Sequence, residues 1–296
     1  MQAPKLRRGD TIGIFSPSHV AGLELYARIT AAIERLGFQV KLGENIYKDT
    51  YGYAASAGER AEDLNALVAD DGVKMILFSG GESAVEILPL IDYENICRHP
   101  KLFCSYSDGT SVLNAIHAQT GLVTYYGGTA GEFADLRHYD YVQFCSHFLA
   151  GDPAKIFISD SPWKTLRGGT CEGTLIGGCA DLFAMTLANK YFRFDADKKY
   201  LLFLEQYEGF VPAGAVATFL GFIEQSALMQ NVTGLIFGHY SDNLSERFIR
   251  LLERFGEKNN IPVVYTDDFG HGSRHAIFPI GMDAALDADE QTLIFK

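Results

Sequence analysis

The chain has 296 residues, 47% hydrophobic and 21% charged, a globular composition that excludes disorder and fibre and leaves room for two ordinary domains. Against 37 acidic residues stand 25 basic ones, a formal charge of −12, and no dense Lys/Arg run interrupts that balance, so nucleic acid is not an expected partner. No apolar run nears membrane-spanning length, and the five scattered cysteines (Cys97, Cys104, Cys145, Cys171, Cys179) form no C-x-x-C pair, which fits reduced thiols rather than disulfides or structural zinc.

Residues 1–10 hold two arginines but no apolar stretch ahead of a cleavage site, so the expectation is a cytoplasmic protein without a secretory signal. Residues 11–16 read as a buried strand, and Tyr26, Ile29, Ile33 and Leu36 then recur at helical spacing. Gly37 ends that helix. Ser56 with Glu59 three positions on resembles a capping box, opening a helix with Leu64, Leu67 and Val68 on one face. Residues 73–78 form the next strand, followed by Ser79-Gly80-Gly81-Glu82 and a short helix ending near Pro89.

The segment from Lys101 runs as an apolar strand into Ser105-Tyr106-Ser107-Asp108 and then into a helix through Ala115, Ile116 and Ala118. A hydroxyl on such a strand-to-helix elbow is pushed out of the strand ladder, and the first amides of the helix lie close enough to hold a developing oxyanion. The competing reading is that Ser107 or Asp108 simply caps the helix, and locally that is the commoner use of these residues. The βαβα alternation predicts an α/β fold with a mostly parallel sheet covered on both faces, and ligands at the carboxyl ends of its strands. Gly80-Gly81 and Ser107 both fall at such ends.

From residue 151 the pattern weakens through Asp152-Pro153, Asp160-Ser-Pro162-Trp163 and Gly168-Gly169. We read a connection there, which divides the chain into a nucleophile-bearing domain (1–152), a linker (153–169) and a C-terminal domain (170–296). Strands are expected at 175–178, 200–204, 232–237 and 262–265, helices at 180–187, 215–226 and 245–257, and a closing hairpin over 284–295.

A serine nucleophile needs a base within hydrogen-bond reach and a group to orient that base. Among eight histidines, His271 stands in Asp267-Asp268-Phe269-Gly270-His271-Gly272, a loop after a strand in which glycines let the backbone approach a ligand; an ordinary turn histidine would look the same. His275 stands four positions on, but Gly272-Ser273 argues against a shared helix face, and no metal or cofactor is expected. Glu205 ends the apolar run 200–204, so it is either an exposed strand-end residue or a carboxylate with a partner. Glu208, Asp267 and Asp268 compete with it. Gly80-Gly81 lacks the lysine of a phosphate loop and serves better as an N–H donor opposite Asp108.

Taken in order, these segments resemble the LD-carboxypeptidase family of serine peptidases over nearly the whole chain. The resemblance rests on Leu6-Arg-Arg-Gly-Asp10 through Ser18, Arg60-Ala-Glu-Asp63-Leu64, Gly80-Gly81, Leu88-Pro-Leu-Ile-Asp-Tyr93 and Pro100 through Thr110. It continues with Glu172 through Gly178, Leu202-Phe-Leu-Glu205, Phe269-Gly270-His271 and Phe278-Pro-Ile-Gly281. It implies a flavodoxin-like N-terminal domain joined to a smaller α/β domain, a Ser107, Glu205, His271 triad, and an oxyanion hole from the amides of Gly81 and Asp108. It also implies a homodimer and a small peptide substrate.

Within the family, one expectation is removal of the terminal D-amino acid from murein tetrapeptides across an L,D-bond. The alternative is a microcin-immunity-type peptidase that cleaves a peptidyl-adenylate-like amide, for which Trp163, the sole tryptophan, is the candidate substrate contact, with an interdomain latch as its other reading. A non-catalytic binding relative is a third. The elbow departs from the family's Gly-x-Ser-Asp-apolar-Thr pattern, with Ser105 for the glycine and Gly109 for the apolar residue. Its Arg-Gly-Gly-aromatic turn has become Ser79-Gly80-Gly81-Glu82.

Overall fold

The computed structural model describes residues 1–20, 22–149, 155–207, 209–239 and 244–296. In the first half, strands β1 (Thr11–Phe15), β2 (Gln39–Leu42), β3 (Val73–Phe78), β4 (Leu102–Ser105) and β5 (Thr124–Tyr126) are separated by helices α1 (Leu23–Arg35), α2 (Ala57–Ala69), α3 (Tyr93–Arg98) and α4 (Gly109–Thr120). The strands are parallel in the order β2-β1-β3-β4-β5, the flavodoxin-like winding. The order reverses between β1 and β3, which opens the crevice where such sheets take ligands. Because both faces are covered, β3 and β4 read as nearly continuous apolar runs, with every residue of β4 buried. The capping box of α2 is present, Ser56 Oγ accepting from Glu59 N and Glu59 from Ser56 N.

After α5 (His138–Phe148) come β6 (Lys164–Arg167), β7 (Thr170–Cys179), α6 (Ala180–Thr186), β8 (Tyr200–Glu205), α7 (Ala213–Gln225) and β9 (Val232–Gly238). These are followed by α8 (Glu246–Asn259), β10 (Val263–Thr266), β11 (Phe278–Ile280), β12 (Asp283–Asp287) and β13 (Thr292–Phe295). They form a seven-stranded sheet ordered β13-β12-β7-β8-β9-β10-β6, in which β7 to β10 are parallel and β12 and β13 make the expected closing hairpin. No helix among the described residues is long and apolar enough to cross a membrane.

Two features differ from the expectation. The segment assigned to a linker carries β6, which pairs antiparallel with β10; as an edge strand with no fully buried residue it lacks the apolar alternation that would have announced it. The cut at 152/153 and the linker's first two residues lie outside the described residues, as does Glu208. Second, β11 leaves the C-terminal sheet and pairs antiparallel with β5, Phe278 opposite Tyr126 and Ile280 opposite Thr124. Helix α4 is wedged at the same junction. Residues 109–116 are all buried, Asn114 Nδ2 donates to Gly177 O at 2.8 Å, and Thr110 Oγ1 accepts from Cys179 N at 3.0 Å.

Candidate active site

Beyond β4 the chain turns at Tyr106-Ser107 into α4, and Ser107 has φ +53°, a left-handed conformation that a serine adopts only when its surroundings hold it there. They do so on both sides of the residue. Ser107 N donates to Tyr126 Oη at 3.0 Å, while Ser107 O accepts from Thr110 N at 2.9 Å and Thr110 Oγ1 at 2.6 Å. The side chain is thereby turned out of both strand and helix.

Glu205 is the last residue of β8 and has no exposed surface. A buried carboxylate is tolerable only with partners on both oxygens, and it has them. Tyr126 Oη donates to Oε1 at 2.7 Å and His271 Nδ1 lies 3.0 Å from Oε2. His271 arrives from the loop after β10 through Gly270, whose φ is +108° and where a Cβ would stand 2.9 Å from Glu205 Oε2, so only glycine lets the loop come this close. His271 Nε2 is 2.9 Å from Ser107 Oγ.

Because an ionised carboxylate only accepts, Nδ1 carries the hydrogen and Nε2 offers a lone pair to the serine hydroxyl. Burial pulls the His271 pKa down. The hydrogen bond and charge of Glu205, aided by Asp181 and Glu132, outweigh it and leave the imidazole above its ordinary value. This arrangement can take a proton from Ser107 and return it to a leaving group.

The competing acids are occupied elsewhere. The Asp268 carboxylate accepts from Ser159 Oγ, Asp160 N, Ser161 N, Trp163 Nε1 and Thr266 Oγ1 at 2.7–3.1 Å, so it fastens segment 159–163 to the base of the His271 loop. Asp267 accepts from Tyr265 Oη at 2.5 Å. Trp163, carried as a candidate substrate contact with a latch as its other reading, is packed as a latch would be. It is 8% exposed, its ring packs edge-on against Phe157, and its N–H donates to Asp268. His275 does not share a helix face with His271; its Nδ1 and Nε2 lie 3.4 Å from Asp140 and 3.8 Å from Glu132.

Gly81 has φ +148°, and a Cβ there would fall 1.9 Å from Ser18 Oγ and 2.6 Å from the Ser18 carbonyl, so the glycine is what lets its backbone bridge to Ser18. Asp108 ties that turn to the elbow, its Oδ2 accepting from Ser18 Oγ and from Ala84 N. Burial pushes the Asp108 pKa up against these hydrogen bonds. Buried Arg60 donates to Pro17 O and to Glu86, which fixes the loop after β1 to the turn after β3. Beside Gly81 lies a cavity of about 600 Å³ lined by Ser18, His19, Tyr53, Glu82 and Ser83.

The two elbow departures occupy one space. A Cβ on Gly109 would meet Ser105 Oγ at 2.2 Å and Ser105 Cβ at 2.5 Å, so the side chain gained at 105 stands where one is missing at 109. Sequence reasoning missed Tyr126, Ser18, Arg60 and Thr110. Nothing local marks Tyr126, the second of two tyrosines in a three-residue strand; only the sheet order brings it under Ser107 and Glu205.

Comparison with known proteins decides the family. The LD-carboxypeptidase N-terminal domain matches residues 12–127, and the LD-carboxypeptidase C-terminal domain matches residues 172–286. The chain belongs to the LD-carboxypeptidase family. It is therefore an enzyme of the serine peptidase class, and the reading as a non-catalytic relative is set aside. Bacillus subtilis YocD is 32% identical over 97% of this chain and 96% of its own. A second Bacillus subtilis relative, named "Probable murein peptide carboxypeptidase", is 29% identical over 98% of this chain and 93% of its own. Among solved structures, an MccF-like protein from Bacillus anthracis superposes with a TM-score of 0.90 at 25% identity, covering 100% of this chain and 98% of that one. The Microcin C7 self-immunity protein MccF, in complex with aspartyl sulfamoyl adenosine, has the same fold, with a TM-score of 0.83 at 24% identity over 99% and 98% of the two chains.

Proposed function

We propose that this LD-carboxypeptidase hydrolyses the amide ahead of the terminal D-amino acid of a murein tetrapeptide, with Ser107 as nucleophile, His271 as general base and Glu205 as the acid that orients it. The observation that carries the reading is the His271 ring bonded to Ser107 Oγ at 2.9 Å on one side and to Glu205 at 3.0 Å on the other. His271 takes the serine proton as Oγ bonds to the amide carbon, and the amides of Gly81 and Asp108 hold the oxyanion. The imidazolium then protonates the leaving nitrogen as the C–N bond breaks. Water, activated by the same ring, releases the peptide acid from Ser107. The relative named for murein peptides supports the substrate class, and the homodimer and cytoplasmic setting expected of the family belong to the same reading.

A second reading is favoured by the high TM-score against an MccF-like protein: cleavage of an acyl amide in an aminoacyl-adenylate mimic. The burial of Trp163 against Phe157 and Asp268 lends that reading less support. The experiment offers purified protein a murein tetrapeptide and aspartyl sulfamoyl adenosine side by side, followed by mass spectrometry. The first reading expects D-alanine release and little turnover of the adenylate mimic. Ser107→Ala is expected to lower the rate by about 10⁴-fold or more; equal rates for the two proteins would sink the triad.

A further inference from the structure

Glu205, His271 and Ser107 account for one side of a hydrogen-bonded ring, and Tyr126 closes the other. Its phenol lies at the end of β5, fully buried, with Ser107 N donating to it at 3.0 Å and the phenol donating to Glu205 Oε1 at 2.7 Å. The direction of both bonds is fixed by chemistry. An amide N–H only donates and a carboxylate only accepts, so the single phenolic hydrogen points at Glu205. The circuit therefore leaves Ser107 by its hydroxyl, passes through His271, Glu205 and Tyr126, and returns to Ser107 by its own amide.

Two needs are met by one hydroxyl. In the left-handed conformation at Ser107 the amide N–H has no helix or strand partner, and a buried N–H left unpaired destabilises the fold. The second oxygen of a fully buried carboxylate also requires a donor. Burial, reinforced by the Glu205 charge, pushes the Tyr126 pKa well above its ordinary value, so the phenol keeps its hydrogen throughout the working pH range. Its ring is held by Phe203 at 5.6 Å and by the backbone pairing of Tyr126 with Ser105 and Phe278.

We propose that Tyr126 is a positioning residue for the triad, which holds the Ser107 elbow in its left-handed turn and shares the Glu205 charge so that the acid's other oxygen stays aimed at His271. The inference rests on the triad reading given above. Removing the phenol oxygen concentrates the carboxylate's charge on the oxygen facing the imidazole, which favours the imidazolium. The pH at which His271 becomes a free base then moves up. A more acidic phenol at the same place withdraws charge and moves it down.

The test uses the full chain and a fluorophosphonate probe. Ser107 Oγ bonds to phosphorus as fluoride leaves, so the readout does not depend on knowing the natural substrate. Labelling rates are followed by intact mass from pH 5 to 9 for wild type, Ser107→Ala, Tyr126→Phe and a protein carrying fluorotyrosine at position 126. Tyr126→Phe keeps the packed ring. It is expected to label about 10-fold or more slowly, with its acid limb raised by about half a pH unit or more, and the fluorotyrosine protein is expected to show a lowered limb. If Tyr126→Phe does not fold, the fluorotyrosine arm decides alone. An acid limb that stays put in a folded fluorotyrosine protein overturns the proposal, whatever happens to the melting temperature. Wild-type labelling no faster than that of Ser107→Ala overturns the triad reading instead, and the proposal with it.

Discussion

Ser105 and Gly109 are where this chain leaves its family's elbow pattern, and the two departures compensate. With Ser105 present, any side chain at 109 overlaps it, since even a Cβ would come within 2.5 Å of two Ser105 atoms. Gly109→Val alone is expected to destabilise the protein by about 1–3 kcal/mol, the usual range for overpacking, and Ser105→Gly with Gly109→Val to recover most of that loss. Urea denaturation of the two single variants and the double gives the coupling; additivity would show that the residues do not share the space. At the same scale, the raised pKa of His271 sets a sign for pH dependence. The base works only when neutral, so activity rises as pH increases through that pKa, with its midpoint above the ordinary histidine value of about 6.5. A midpoint below that value, read from kcat/KM against pH, would contradict the Glu205 pairing.

Among the elements, α4 does more than follow the nucleophile. Its first turn joins the elbow to the second sheet, because Thr110 Oγ1 donates to Ser107 O and accepts from Cys179 N, and Cys179 is the register partner of Glu205. One hydroxyl therefore links the end of β7, the strand paired beside the acid's own strand β8, to the turn that carries the serine. Thr110→Val keeps the shape and removes the hydroxyl, leaving the buried Cys179 N–H unpaired at a cost of about 1–3 kcal/mol. Activity assays and thermal melts should show lower kcat with KM little changed, and Thr110→Ser should restore both kcat and stability. A drop in stability without any change in kcat would mean that the link serves folding alone.

Across the whole molecule, the two sheets are built into each other. β11 belongs by sequence to the second half and by pairing to the first, and α4 is buried between the halves. Such sharing predicts one cooperative unfolding transition rather than two. Trp163, the sole tryptophan, is buried beside Phe157 and Asp268 and reports on the second half. Its fluorescence transition in denaturant should coincide with the far-UV circular dichroism transition of the whole chain. Separated midpoints would show that the halves unfold independently despite the shared strand.

The sequence by itself determined the parallel-sheet architecture, since fully covered strands must read as apolar runs between amphipathic helices. It also offered Ser107, Glu205 and His271 as candidates where apolar strands give way to small or polar residues, with competing readings for each, and the resemblance to the family implied the three together. Three short strands escaped the sequence pattern: β2 is a four-residue alternation of exposed and half-buried positions, too brief to stand out, β6 has no fully buried residue and β5 spans three residues. Trp163 was open between cleft and latch, and its burial favours the latch. What only the tertiary structure decided is which donor meets which acceptor: that Glu205 and not Asp268 faces His271, that Ser105 fills the space above Gly109, and that Tyr126 stands under both Glu205 and Ser107. The physical reason is common to all three. Hydrogen bonds and close contacts are short-ranged and directional, and the partners here lie 19 to 164 positions apart along the chain or on opposite sides of one turn, so their meeting depends on strand order and register, which local pattern does not encode.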